Sequence, residues 1–231
     1  MSKMQEKAWY LQEQIVQNYE AYYQTKYKRA DILERRLLKK LLEQIGDAQK
    51  LLEVGCGTGH FTRWMETLGI ECCGLDLSHL MLRQARKLWV HGPLAQGESS
   101  HLPFKTKAFD VVAFIACLEY MPEIVAVFSE AARVARKGII IGLMNKWSPP
   151  TLRRIVQVKM GKNPYYENAK FYSVSDIKRI LRDTFGDRYA IIYWTTTVFG
   201  RIFGNMESAL LPFGSFLGIA VKLGDIDDKS V

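Results

Sequence analysis

The sequence is sparing with cysteine. It has four in 231 residues: Cys56, Cys72, Cys73 and Cys117. Two are adjacent and none forms a CxxC pair, which excludes a zinc knuckle or a disulfide framework. Small buried hydrophobes in a reducing compartment are expected instead. Long apolar runs are also lacking. The longest late one, residues 209–221, is broken by Pro212, Gly214 and Gly218, and it falls short of the ~20 residues a bilayer needs. The opening Met-Ser-Lys-Met-Gln-Glu-Lys holds no apolar signal core, so a cytoplasmic chain with no transmembrane segment is expected. Charge of one sign is not blocked together either. The net +8 is scattered, without a run of five basic residues. That excludes a basic tail but admits nucleic acid, anionic lipid or an acidic small substrate. Part of the excess, Arg35, Arg36, Lys39 and Lys40, reads as the solvated face of an amphipathic helix. Repeats and low-complexity stretches are absent.

What is present fits one α/β domain with a full core: 48% hydrophobic and 24% charged residues. The first 30 residues, rich in Tyr, Gln and Lys, read as a helical segment outside the core. Leu33, Leu37, Leu38, Leu41 and Leu42 recur at helical spacing over 32–45, and Gly46 stops that helix. Strands and helices then alternate. Strands are expected at 50–54, 70–75, 95–97, 109–116 and 138–144. Helices are expected from about 60 to 68, from Ser78 as N-cap, and over 124–136. Residues 145–172, with Pro149, Pro150, Gly161 and Pro164, break the rhythm as an excursion over the sheet. A helix near 175–183 and strands at 189–199 and 216–223 follow, with a flexible tail at 224–231. Such alternation implies a Rossmann-like, doubly wound sheet with helices on both faces.

The most informative segment is Glu53-Val54-Gly55-Cys56-Gly57-Thr58-Gly59-His60. A strand ends in glycines that let the backbone turn tightly and let a ligand approach the main chain. A dinucleotide loop would put its third glycine at position 60, which is His60. The glycines are spaced by two, and Glu53 would repel a pyrophosphate while suiting a positive amino group. Asp76 ends the second strand, 21 positions after Gly55. That matches the roughly 20-residue offset at which an acidic side chain holds a ribose diol.

With Gly74-Leu75-Asp76-Leu77-Ser78, Gly97-Glu98-Ser99-Ser100-His101-Leu102-Pro103-Phe104 and Phe109-Asp110-Val111-Val112, the segment resembles class I S-adenosylmethionine-dependent methyltransferases. The closest group is the UbiE-like, methyltransferase type 11 family, over about residues 30–145. The resemblance implies a seven-stranded sheet in the order 3-2-1-4-5-7-6 with strand 7 antiparallel. It implies S-adenosylmethionine as cofactor, S-adenosylhomocysteine as product, and no metal. Glu53 and the loop Gly55, Cys56, Gly57 and Gly59 would face the methionine part, and Ala116 would line that end. Asp76 would hold the ribose hydroxyls, Leu77 would pack near the adenine, and Glu98 with the Ser99 amide would meet the adenine amine. Glu98 departs from the family's usual Asp, which lengthens the reach but keeps the chemistry. Tyr19-Glu20-Ala21-Tyr22-Tyr23, Cys117-Leu118-Glu119-Tyr120-Met121-Pro122, Asn145-Lys146-Trp147-Ser148, Ala169-Lys170-Phe171-Tyr172-Ser173 and Leu211-Pro212-Phe213-Gly214-Ser215-Phe216-Leu217 are similar to segments of one bacterial and archaeal subgroup.

Methyl transfer draws much of its rate from orientation and desolvation. A missing catalytic dyad is therefore no argument against it. Glu119 and Tyr120, just after strand four, are the candidate catalytic residues. Glu119 would be a base or an acceptor-positioning group, or else a carboxylate favoured by a helix start. Tyr19, Tyr22 and Tyr23 are read as a lid or as aromatic anchors. Trp147, Arg153 and Arg154 would overhang the acceptor, because residues 147–166 carry no acid. His60 is expected on a helix surface and His101 in a loop. The expected acceptor is a small aromatic, amphiphilic or anionic molecule. Two alternatives stay open: an RNA methyltransferase, although Asn/Asp-Pro-Pro-Tyr is missing after strand four, and a non-catalytic regulatory or partner protein that binds the cofactor. A nicotinamide-dependent reductase, suggested by the Tyr166-x-x-x-Lys170 spacing, fits the glycine loop poorly. Oligomeric state cannot be read. The domain division expected is an N-terminal lid 1–30, a cofactor domain 31–223 and the tail.

Overall fold

The computed structural model describes residues 9–25, 27–89, 91–200 and 203–224; the side chains of Tyr22, Tyr23, Gln24 and Pro164 lie outside that set. The expected tail, beyond Gly224, and the first eight residues also lie outside the described residues.

A short 3-10 turn, Trp9–Leu11, precedes α1 (Glu13–Gln24) and α2 (Lys28–Ile45). In α2, Leu33, Leu37, Leu38, Leu41, Leu42 and Ile45 are buried. They form one stripe at the 3.6-residue period, and each buried leucine contributes about 1.5–3 kcal/mol. Gly46, at φ +101°, ends the helix. The rest alternates: β1 (Lys50–Val54), α3 (His60–Glu66), β2 (Glu71–Asp76), α4 (His79–Leu88), β3 (Leu94–Gln96), β4 (Phe109–Ile115), α5 (Ile124–Val134), β5 (Ala135–Met144), α6 (Pro149–Lys159), α7 (Val174–Phe185), β6 (Tyr189–Thr197) and β7 (Phe216–Leu223).

The seven strands lie in the order β3-β2-β1-β4-β5-β7-β6. β1 pairs in parallel with β2 and β4, and β4 with β5. β7 runs antiparallel to both β5 and β6. β6 therefore points the same way as β5, and the β6–β7 connection leaves the sheet at the carboxyl edge. Helices cover both faces. Val112 and Phe114 of β4 pack with Phe128, Ile177 and Leu181 of α5 and α7. Val111, Ala113 and Ile115 point the other way, onto Leu37, Leu41, Phe61 and Met65 of α2 and α3. This two-residue alternation in a strand buried on both faces explains its continuous apolar run.

Most element ends fall within two residues of the sequence reading, and two departures are larger. The fifth strand begins at Ala135, three residues early, because Ala135 pairs with Phe109 of β4; pairing overrides helix propensity there. The excursion, expected to break the strand–helix rhythm, contains a helix, α6. Pro149 and Pro150 occupy its first turn, where a missing N–H costs nothing, and Ser148 caps it by accepting from the Thr151 amide at 3.3 Å. Three of the four supposedly solvated basic residues of α2 are also engaged: Arg35 with Asp31, and Arg36 and Lys40 with Glu207. Among the described residues, no helix is long and apolar enough to cross a membrane.

Candidate active site

A cavity of about 280 Å³ opens at the carboxyl ends of β1, β2 and β4. Its floor is the loop between β1 and α3. Gly55 and Gly57 have φ of +76° and +55°, which L side chains rarely adopt. At Gly55 a Cβ would stand 2.6 Å from that of Cys117, so the loop can lie flat against β4 only as glycine. Gly59, also at φ +76°, starts α3 and does not line the cavity. Opposite, Ala116 takes φ +51° where β4 ends, its amide held by the Gly142 carbonyl at 2.7 Å. Strain of this kind gathers at functional sites.

Glu53, Cys56, Asp76, Leu77, Glu98 and Ser99 line the same cavity. The glycine loop positions Asp76, and Asp76 positions the loop. Its Oδ2 accepts from the Gly57 amide and its Oδ1 from the Ser78 amide, both at 2.8 Å. Burial raises its pKa above the ordinary value, against the opposing pull of these amides. Glu53 is only 1% exposed. The Thr62 hydroxyl donates to its Oε2, which does not offset desolvation, and burial pushes its pKa up to about 8. A buried carboxylate with so few donors calls for a cation. Among the described residues, no group of three His, Cys, Asp or Glu side chains is gathered as for a metal ion.

Four aromatic rings cap the opening. Trp9 stacks on Tyr19 at 5.4 Å with planes 20° apart, and meets the edges of Tyr10 and Tyr120, each at 5.8 Å. Tyr10 also meets Tyr120 at 6.1 Å. The Ser78 hydroxyl donates to the Tyr10 carbonyl at 2.7 Å, which ties this segment to the start of α4. Sequence reasoning missed Trp9 and Tyr10 as wall residues. Their only signal was an aromatic pair ahead of an amphipathic helix. Tyr22 and Tyr23, expected beside Tyr19, have side chains outside the described residues.

Below the cap, α1 is fastened to the glycine loop. Glu20 accepts from the Thr58 hydroxyl and from the Arg63 guanidinium, and lies 3.7 Å from His60. His60 also meets Asp31 of α2 at 2.7 Å. Burial alone would raise the Glu20 pKa, but His60, Thr58 and Arg63 outweigh it and bring it to about 2. Burial alone would lower that of His60, yet Asp31 and Glu20 raise it. His60 is thus not the helix-surface residue expected, but a largely buried imidazole joining three elements. Contacts so distant in sequence leave no periodic trace.

The structure sets the other candidates apart. Tyr120 lines the cavity, while Glu119 is buried behind it at 1% exposure. Glu119 Oε1 accepts from the Met144 amide at 2.6 Å, and Oε2 has no partner among the described residues. Burial raises its pKa to about 7. Trp147, Arg153 and Arg154 are not in the cavity wall. Arg154 lies over the Tyr166 ring at 5.2 Å, and its charge reaches Glu119. The Tyr120 hydroxyl sits 3.5 Å from the Tyr165 carbonyl, linking the wall to the segment after α6.

Comparison with known proteins bears on the family and the fold. Residues 52–142 match the family described as "Methyltransferase domain". Over 67% of the chain the sequence is 28% identical to a malonyl-[acyl-carrier protein] O-methyltransferase of Hamiltonella defensa, and the match spans 60% of that protein's length. An uncharacterized protein of Methanocaldococcus jannaschii is 31% identical over 65% of this chain and 69% of its own. Among solved structures, a Thermotoga maritima S-adenosylmethionine-dependent methyltransferase, described as a possible histamine N-methyltransferase, superposes with TM-score 0.75. It is 23% identical and covers 93% of this chain and 99% of its own.

Proposed function

The chain belongs to the class I S-adenosylmethionine-dependent methyltransferases, and on that premise we propose that it methylates a small, ring-bearing amphiphilic acceptor bound under the aromatic cap. The observation that carries this reading is the cap itself: Trp9, Tyr10, Tyr19 and Tyr120 gather in the wall of a cavity that glycines and carboxylates also line. Flat apolar walls with a few convergent polar groups suit a small molecule.

The residues fit the family's cofactor. Glu53 offers its buried carboxylate to the amino group, Asp76 offers the ribose hydroxyls two oxygens already oriented by backbone amides, and Glu98 with the Ser99 amide meets the adenine. Leu77, 42% exposed in the cavity wall, gives the base an apolar face. When bound, S-adenosylmethionine supplies an electrophilic methyl on a sulfonium. Ala116 and Tyr120 shape the space into which an acceptor atom would be lined up, and the cap excludes water. Rate then comes from orientation and desolvation.

Glu119 is the group we assign to proton handling or acceptor positioning. A carboxyl with a pKa of about 7 and a free oxygen suits a base near neutral pH. Glu119→Gln is expected to lower kcat by roughly 10²-fold or more if it takes a proton, and unchanged turnover would remove that role. The unpaired cysteines fit the cytoplasmic placement we retain.

The first test is calorimetric titration with S-adenosylhomocysteine, with Asp76→Ala as control. Micromolar affinity is expected in the native chain, weakened roughly a hundredfold in the variant, which loses charge-assisted bonds worth about 3 kcal/mol. A folded native chain that does not bind would overturn the reading.

A further inference from the structure

Two segments at the carboxyl edge present apolar side chains to solvent where a globular protein ordinarily hides them. On α6 and its C-cap, Leu152, Val156 and Met160 are 43%, 55% and 58% exposed. They recur every fourth residue and form one stripe. On a wheel of about 100° per residue the stripe spans about 80°, and Arg153 and Lys159 fall about 20° outside its two borders. Arg153, Lys159 and Lys162 are exposed, and among the described residues no carboxylate comes within ion-pair distance of them.

The second segment is the connection from β6 to β7. Its tip exposes Leu210 at 93%, Leu211 at 43% and Phe213 at 54%. This is not a frayed loop. Thr196 and Ser208 exchange backbone bonds at 3.1 and 3.0 Å. The Ser208 hydroxyl accepts from the Leu210 and Leu211 amides at 3.2 and 2.9 Å. The Asn145 side chain donates to the Pro212 and Gly214 carbonyls at 2.7 and 2.9 Å. Asn145 also stands three residues before the Ser148 cap of α6, so one residue stitches the apolar tip to the root of the basic helix. Trp147, 50% exposed, falls in the sequence between Asn145 and Ser148.

We propose that α6 and the 208–214 tip together form a docking surface for an anionic lipid bilayer. The chemistry singles out this occupant. An apolar stripe bordered by Arg and Lys, with no acid from residue 147 to 166, is the pattern of a helix lying in the interface plane. Cations meet the negative headgroups, the aliphatic tip enters the acyl boundary, and Trp147 suits the interfacial layer. An RNA strand would pair with the cations but gain nothing from Leu210, Val156 or Met160. Docking here turns the carboxyl edge, and the cavity mouth, toward the bilayer.

The test is co-sedimentation of the purified chain with vesicles of phosphatidylcholine alone or mixed with phosphatidylglycerol. Binding is expected to the mixed vesicles, falling as salt is raised. Two variants separate the contributions: Leu210→Asp with Phe213→Asp, and Lys159→Glu with Lys162→Glu. Each pair is expected to lower vesicle partitioning by about tenfold or more, with thermal unfolding unchanged as the folding check. Failure of the native chain to bind the mixed vesicles, or folded variants that both bind them as well as the native chain does, overturns the proposal. Sedimentation velocity supplies the rival outcome. A dimer that Leu210→Asp dissociates, without vesicle binding, assigns the patch to a second copy of this chain instead. None of these readouts depends on cofactor binding, so failure of the methyltransferase reading remains a separate result.

Discussion

Glu53 illustrates how a buried carboxyl in a cavity wall weighs against the fold. Its carboxyl has a pKa of about 8 in the folded chain against an ordinary 4.5, through burial. A carboxyl with a raised folded pKa holds a proton that the unfolded chain has released. Its drag on stability is therefore absent below about pH 4.5, grows as pH rises from there to about 8, and is full above that. Two outcomes follow. Glu53→Gln is expected to raise the melting temperature of the ligand-free protein at pH 9 while leaving it nearly unchanged at pH 5, and to weaken cofactor binding. Equal melting shifts at both pH values would mean that Glu53 is already ionised. A bound ammonium would restore ionisation, so titration with S-adenosylhomocysteine at pH 6.5 is expected to release a proton, seen as a heat that varies with buffer ionisation enthalpy. The residues that gather at the glycine loop were legible because a strand end, a glycine spacing and an offset are local facts about the chain. Glu20, His60 and Asp31 were not: each is unremarkable on its own helix, and only the fold brings them together.

At the scale of elements, the polar fastening of α1 to α3 and α2 should depend on pH. The His60 pKa is raised by Asp31 and Glu20 against the effect of burial. A raised histidine contributes fully below its unfolded value near 6.5, and its contribution is lost as pH rises through the higher folded value. Hydrogen exchange of the 13–24 amides, corrected for intrinsic rates, is expected to quicken across that window. His60→Ala should abolish the step and cost about 1 kcal/mol of local protection. Exchange that ignores both pH and the substitution would mean that α1 is held by packing alone. α2 packs closely enough on β7 that a Cβ at Gly218 would stand 2.8 Å from Leu37 Cδ2. Gly218→Val is therefore expected to cost about 1–3 kcal/mol in denaturant titration. The α2 stripe and the strand–helix alternation were visible as periodicity. The start of α6 was hidden because prolines read as breaks until their place in a first turn is known.

For the whole molecule, the sheet order brings the glycine loop, the aromatic cap, α6 and the β6–β7 tip to one edge. Ligand binding there is expected to stabilise the chain globally. S-adenosylhomocysteine at a hundred times its Kd adds about 2.7 kcal/mol, a melting shift of roughly 5–10 °C for a chain of this size, absent in Asp76→Ala. The fastening of α1 has one more consequence. Glu20 grips Thr58, a residue of the very loop that floors the cavity, while the rings of Trp9, Tyr10 and Tyr19 roof it. Spent cofactor and methylated product would then leave by the same door, and only after that door swings. Turnover under saturation would be paced by the swing rather than by bond-making. It would slow in proportion to solvent viscosity, and heavier methyl isotopes would leave it unchanged.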